Sequence, residues 1–429
     1  MTVMIRRAAL GLLLLAGAIG APRAASACGG CFNPPTAVQV VTDHRMVLSL
    51  TRDRTVLWDQ FRYSGRPEDF SWILPIRNGP GVVVEEADNL FLATMDNLTA
   101  PLVTRPLPPN SFCPSSGFGF GGADSTGARP TLGAPNDGVT VINERVVGPY
   151  QVATLAATDP MALRTWLAAN GYAVPPAVSP VIDHYVALSM DFVAVRLRPT
   201  AEVSQMKPLR IIMPGYAPTL PLRMIAAGVA DKVGLNLIVL SDARIEAMNF
   251  PNAEVREADL RYDFDAPSEP GADFLAAFNR LNRANGGRAW VTESAFALNR
   301  FSVERQMQSC SDPSTGFPQP CEADPRVSPL DSSVAFDALG DTAYVTRIRA
   351  DLASTALDRD LVLASSDRGN RVRNYTYGTI VNTPPDPCAN PRSGFEGCSA
   401  RGGDTTTAGA VCAALGLIAA RAMRRRKRA

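Results

Sequence analysis

The chain has 429 residues, with 42 basic and 41 acidic side chains and a formal net charge of +1 at pH 7. That balance argues against a nucleic-acid partner, which would call for a strongly basic face. With 46% hydrophobic and 19% charged residues the composition is that of a globular protein, long enough for one large domain or two ordinary ones, and its 35 prolines predict many loops and short strands.

The first residues have the tripartite pattern of an export signal. Arg6 and Arg7 give a positive start, residues 8–21 run apolar around Leu12-Leu13-Leu14-Leu15, and Ala25-Ser26-Ala27 places small residues at a cleavage site. The apolar run of ~14 residues is shorter than the ~20 that a spanning helix needs. Residues 1–27 are therefore expected to be removed after Ala27, which makes Cys28 the mature N-terminus.

From there the chain is read as elements. Residues 36–61 suggest two or three short antiparallel strands, broken by turns at Thr42-Asp43-His44-Arg45 and Arg52-Asp53-Arg54. A turn at 63–70 leads to a strand at 70–76. Leu90, Phe91, Met95 and Leu98 space an amphipathic helix over 85–98. Residues 107–138 are rich in Gly, Pro and Ser, cannot bury a core, and read as an exposed loop holding Cys113. Residues 139–156 return to strand pattern around a Gly148-Pro149 turn. Asp159 and Pro160 suit the cap and first turn of a helix with Leu163, Trp166 and Leu167 on its buried stripe, closed by Asn170-Gly171.

A helix over 181–192 is expected to feed a strand at 193–198, with further strands at 209–213 and 235–241. Phe274, Leu275, Phe278 and Leu281 mark an amphipathic helix over 272–283. A second irregular loop, about 304–329, holds Cys310 and Cys321, and 335–363 is expected to contain at least one more helix. Strands and helices mix without a strict alternating beat, so the fold class expected is α+β: antiparallel sheets with packed helices and disulfide-stapled loops, over residues 28–381. A Pro/Gly-rich stalk follows at 382–404 with Cys388 and Cys398. Residues 405–420 carry no charge and lead into Arg424-Arg425-Arg426-Lys427-Arg428. A helix of ~16 residues spans ~24 Å against ~30 Å of hydrocarbon, short but extended by snorkelling arginines. Its basic end is expected to stay cytoplasmic, leaving the bulk of the chain outside.

Three segments carry a resemblance. The run "DHRMVLSLTRD…FRYSGRPEDFSWILPI" at 43–76, the run "GPYQVATLAATDPMALRTWLAANGYAVPP" at 148–176, and the Cys28-Gly29-Gly30 after the leader resemble the bacterial domain of unknown function 2330, over roughly 28–366. The resemblance implies export and carries no catalytic residue over. Separately, Gly397-Cys398-Ser399, a spacer, the apolar run 408–420 and the arginine cluster are similar to the myxobacterial MYXO-CTERM sorting tail. That likeness implies that Cys398 is a processing and lipid-attachment site and that the protein is held at the cell surface.

Eight cysteines are present. Cys412 lies in the tail run. If Cys398 anchors the chain, Cys28, Cys31, Cys113, Cys310, Cys321 and Cys388 remain, enough for three bridges in about 15 connectivities. An exported chain folds where cysteines pair, and Cys310 with Cys321 would close a short loop. Cys28-x-x-Cys31 has other readings. A redox pair needs a thiol lowered by a helix N-terminus, yet Asn33-Pro34-Pro35 follows. Zinc needs four ligands, yet there is no second such motif and only His44 and His184. A lipobox at Cys28 is a third reading, although Ala25 stands where leucine is usual.

His44 falls at the expected turn and reads as exposed; His184 shares a face with Val181, Leu188 and Phe192 and reads as a core or boundary histidine. Glu68-Asp69 suits a cap or a pair with Arg66 better than a catalytic dyad. No phosphate loop, dinucleotide fingerprint or nucleophile elbow is present, and no cofactor is implied. The leading expectation is an exported, surface-anchored, non-catalytic scaffold or binding module. An extracellular hydrolase using Glu68, Asp69 or His184 is the alternative, and a thiol oxidoreductase the third class. Apart from the membrane that holds its tail, no partner is named by the sequence.

Overall fold

The computed structural model describes residues 43–60, 66–108, 139–226 (apart from 173 and 175), 232–308 and 328–384, with short stretches at 26–27, 31–32, 40–41, 63, 310–311 and 318–319. Residues 1–106 with 117–381 form one unit, which holds every element named below; 107–116 with 382–429 form another, almost wholly outside the described residues.

In chain order the main elements are β1 (Asp43–Leu50), β2 (Arg54–Gln60), β3 (Ser71–Ile76), β4 (Val83–Glu86), α1 (Asn89–Thr99), β5 (Val139–Val147), β6 (Tyr150–Ala157), α2 (Pro160–Ala169), α3 (Ser179–Ala187), β7 (Asp191–Leu197), β8 (Leu209–Pro214) and the short α4 (Leu222–Ala226). There follow β9 (Lys232–Ser241), β10 (Ile245–Ala247), β11 (Asn252–Glu254), α5 (Pro270–Ala284), β12 (Trp290–Asn299), α6 (Arg300–Met307), α7 (Ser328–Phe336), β13 (Thr342–Ala353) and β14 (Leu361–Ser365).

Alternation of side chains builds the middle of the molecule. Along β1, His44, Met46, Leu48 and Leu50 share one face while Val47 and Ser49 take the other; on β2, Leu57 and Asp59 oppose Val56 and Trp58. All of these are buried, so both faces of the sheet are covered. It has eight strands, in the order β11-β12-β13-β9-β1-β2-β8-β4. Two pairs are parallel, β9 with β1 and β11 with β12, and the rest antiparallel. A second, antiparallel sheet runs Cys31–Phe32, β3, β7, β6, β5.

The layers follow from which faces are apolar. Phe91 and Met95 of α1, Val303 and Met307 of α6 and Phe336 of α7 pack on Val47, Val56, Trp58 and Leu240 of the large sheet. Its opposite face meets Trp72, Leu74, Val152, Val193 and Val195 of the second sheet. The far side of the second sheet is closed by Leu163 and Leu167 of α2 and Ile182 and Tyr185 of α3. The result is helix, sheet, sheet, helix. A smaller cluster sets Phe274 and Phe278 of α5 on Val291 and Tyr375. This is the α+β architecture expected.

Local chemistry fixes the element ends. Asp159 caps α2 by accepting from the N–H groups of Met161 (2.9 Å) and Ala162 (3.2 Å). Asp159→Ala is expected to cost about 1 kcal/mol, read as a lower denaturant midpoint at unchanged m. Gly148, at φ +54°, takes the left-handed conformation that the two-residue β5–β6 loop needs at its first position.

Several expectations are corrected. His44 is not in a turn: β1 runs through it, because the period-2 pattern that includes Met46, Leu48 and Leu50 extends back to His44. The helix expected from residue 85 starts at Asn89, where Asp88 caps it, and Val83–Glu86 is a strand instead. Leu275 of α5 is 41% exposed; Ala277 and Asn282 take the buried side with Phe274 and Phe278. The loop expected over 304–329 begins later, since Glu304 is buried within α6. No α-helix occurs among the described residues 337–363: β13 and β14 fill that stretch, and the helix lies earlier, at α7. In β13, Ile348, Ala350 and Leu352 alternate with Arg349 and Asp351, which is a strand period, and the strand sits in the middle of the large sheet.

Candidate functional site

The cysteines fall largely outside the described residues. Cys28, Cys113, Cys321, Cys388, Cys398 and Cys412 do so entirely, as does the tail from 385 onward. Two are placed by backbone only. Cys31 pairs with Trp72 at the edge of the second sheet, and Cys310 pairs with Gln319 in a two-stranded ladder. That ladder turns the chain back two residues before Cys321.

Of the polar residues named for a hydrolase, the two whose side chains are described, Glu68 and His184, stand on different elements. Glu68 is exposed on the 3-10 turn Pro67–Asp69 and pairs with Arg66 at 3.0 Å. His184 is half-buried on α3, beyond the second sheet, with its ring 5.3 Å from that of Tyr185. Asp183 is exposed and paired to Arg164. The Asp69 side chain lies outside the described residues. Among the described residues no group of three or more His, Cys, Asp or Glu is arranged to hold a metal ion, and no helix is long and apolar enough to cross a membrane.

What the fold does bring together is a pair that the sequence left apart. His44 Nδ1 lies 3.1 Å from Asp59 Oδ1, with side-chain exposures of 1% and 4%. Register explains the meeting. Asp59 stands opposite Met46 across the β1–β2 ladder, so His44, two residues before Met46 on the same face, is its diagonal neighbour. Both line a narrow cavity of about 20 Å³ beside β1, β2 and β3, walled by Met46, Leu57, Trp72, Ile73 and Leu74 and by residues of the 220–225 segment that carries α4. That volume suits about one water molecule. The missed signal was the unbroken alternation of β1 and the matching Thr55, Leu57, Asp59 of β2.

Two further buried networks fasten the helical layer to the large sheet. In the first, Asp331 of α7 (0% exposed) accepts from Trp58 Nε1 at 2.7 Å and from the Asp88 N–H at 2.8 Å, and contacts Arg210 Nη1. Arg210 also donates to Glu85 at 3.1 and 2.8 Å. Burial pushes the Asp331 carboxyl up to about 6, against the pull of Arg210 and its hydrogen bonds. In the second, Arg347 donates to Glu293 at 2.5 Å and to Asp96 of α1, which also takes Asn236 Nδ2 at 3.1 Å. Burial raises the Asp96 carboxyl, but the guanidinium groups of Arg347 and Arg45 outweigh it and hold it below the usual range. Arg347 is likewise raised: the two carboxylates overcome its burial. Every donor and acceptor in these networks ties one element to another, which is structural work.

The fold and cavity define a four-layer α+β domain with an apolar, histidine-bearing cleft between its sheets. The chain belongs to a bacterial family described as "Uncharacterized protein conserved in bacteria (DUF2330)", whose model matches residues 22–363. No curated protein and no solved structure shows significant similarity to it.

Proposed function

We propose that this is an exported protein held at the bacterial surface, whose domain serves as a non-catalytic scaffold or binding module. The observation that best supports a non-catalytic domain is the dispersal of its polar chemistry. Glu68 and His184 stand on separate parts of the fold, and the cavity between the sheets is walled mostly by apolar groups. A hydrolase instead gathers nucleophile, base and orienting group around one concave site.

Export rests on the leader pattern of residues 1–27, and anchoring on the arrangement of Cys398, the apolar run 408–420 and the closing arginines. The bridge between Cys310 and Cys321 is part of the same proposal, since the ladder at Cys310–Ser311 and Pro318–Gln319 returns the chain towards its partner. Intact-mass analysis of the protein from its native membrane tests these points together. The expected result is a chain beginning at Cys28 and processed or lipidated at Cys398, with Cys310 and Cys321 joined in non-reduced peptide maps. A chain that retains residues 1–27 and fractionates with the cytosol would overturn the reading.

A further inference from the structure

After β14 the chain runs as a strap, residues 366–381, across the domain, and the strap is held as a bound peptide is held. Arg371 exchanges backbone hydrogen bonds with Ala295 of β12. Asn374–Tyr375 pairs in parallel with Leu102–Val103, and Thr379–Val381 with Arg261–Asp263. Alternate side chains enter a groove walled by Val255, Leu260, Tyr262, Phe274, Phe278 and Val291. Tyr375 (1% exposed) and Tyr377 (7%) go in, while Asn374, Thr376 and Gly378 between them are exposed.

Both tyrosines are held by ring and by hydroxyl. The Tyr375 ring meets Phe274 edge-on, 5.0 Å between centroids, and its hydroxyl donates to the Glu293 carbonyl at 2.6 Å. The Tyr377 ring lies 5.1 Å from that of Tyr262, and its hydroxyl donates to Asp273 Oδ2 at 2.7 Å. Arg371 stacks over Tyr375 at 4.5 Å and donates to the Val255 carbonyl. At Gly378 backbone meets backbone: a Cβ there would stand 2.6 Å from the Glu257 carbonyl, so glycine lets the strap lie down. Main-chain bonds to strand edges with alternate side chains in pockets are the β-augmentation mode of peptide recognition. Every wall of the groove lies within residues 22–363, which the family model matches, whereas the strap follows them.

We propose that this groove is an interaction surface between two copies of the chain, the strap of one, residues 371–381, seating in the groove of the other. The contacts made between copies are those made within one, so the complementarity is already built, and a reciprocal exchange closes as a pair. The hinge is residues 367–370, all exposed. It is held by polar contacts, the Gly369 carbonyl to Arg244 and Asn370 to the Tyr344 hydroxyl, each at 2.7 Å, and carries no apolar side chain. A tether this short supplies the strap to its own groove at an effective concentration on the order of 1 mM. Exchange is therefore expected where copies are packed to that level, and closed monomers at dilution. The inference is independent of where the chain is held.

Tyr262 and Tyr377 read the exchange directly, since rings this close suit photo-oxidative dityrosine coupling. Full-length chains grown in 14N and in 15N are mixed equally at about 1 mM, coupled with tris(bipyridyl)ruthenium and persulfate, and digested. The expected result is a peptide joining Tyr262 of one isotope to Tyr377 of the other, approaching half of all Tyr262–Tyr377 peptides. Peptides of one isotope only would overturn the proposal. Tyr375→Ala with Gly378→Ala lifts the strap and leaves every groove wall in place. In fluorescence polarisation this full-length variant is expected to bind a fluorescein-labelled peptide of residues 369–383, and to bind the same peptide carrying both changes at least about tenfold more weakly. A variant that unfolds, or that leaves the parent peptide unbound, would also overturn the proposal, because a strap that two copies exchange must leave its groove standing when it departs.

Discussion

Asp331→Ala is expected to lower the unfolding free energy by about 3–5 kcal/mol, the range for removing one member of a buried ion pair. The loss is large because three donors lose their acceptor at once. Arg210 is 1% exposed and keeps only Glu85, while Trp58 Nε1 and the Asp88 N–H are left facing an apolar void. Urea unfolding at pH 7, followed by Trp fluorescence, measures it; a change under 1 kcal/mol would show that α7 is not fastened this way.

The same residue sets a pH dependence of definite sign. Its carboxyl is raised from 3.8 to about 6 in the folded chain. The folded state therefore binds the proton more tightly than the unfolded one. The stability this confers is fully present below pH 3.8 and is lost as pH rises through about 6. A shift of that size corresponds to about 3 kcal/mol. Asp331→Asn removes the titrating group and should flatten this part of the stability profile between pH 4 and 7. A profile as steep as that of the parent chain would exclude Asp331 as its source.

Arg347→Met is the second large effect, again about 3–5 kcal/mol. It strands the Glu293 carboxylate, 2% exposed, beneath α1. Asp96 suffers less, since Arg45 and Asn236 still meet it. The double substitution Arg347→Met with Glu293→Leu should recover most of the loss, because the penalty comes from an unpaired buried charge and not from the missing pair. A double-mutant cycle with coupling below about 0.5 kcal/mol would mean that the two side chains do not act as a unit.

Much of the fold could be read along the chain. The β5–β6 hairpin, the Asp159 cap and the helix carrying Phe274 and Phe278 each depend on neighbours within a few residues, and the structure shows them close to where the sequence placed them. Errors arose where local pattern was ambiguous. Residues 335–363 hold enough alanine and leucine to suit a helix, yet β13 lies between β12 and β9 and its backbone groups are taken up by both neighbours. Tertiary pairing there overrides propensity.

The candidate site was less legible. His44 was visible as a residue but read as exposed, because a charged Asp43-His44-Arg45 triplet looks like a turn until the strand's alternation is followed back through it. Its relation to Met224, 180 positions later, has no signature in local spacing. Arg210 with Asp331 and Arg347 with Glu293 are hidden in the same way.

By itself, the sequence determined the α+β class, the β5–β6 hairpin and the Asp159 helix cap, because each rests on period and on short-range hydrogen bonding. Only the tertiary structure decided that the helices and sheets stack in four layers, and that His44, Asp59, Met46 and Met224 wall one cavity. Layer order and cavity lining depend on which apolar faces meet across hundreds of residues, and hydrophobic contact carries no directional signal that a chain can display locally.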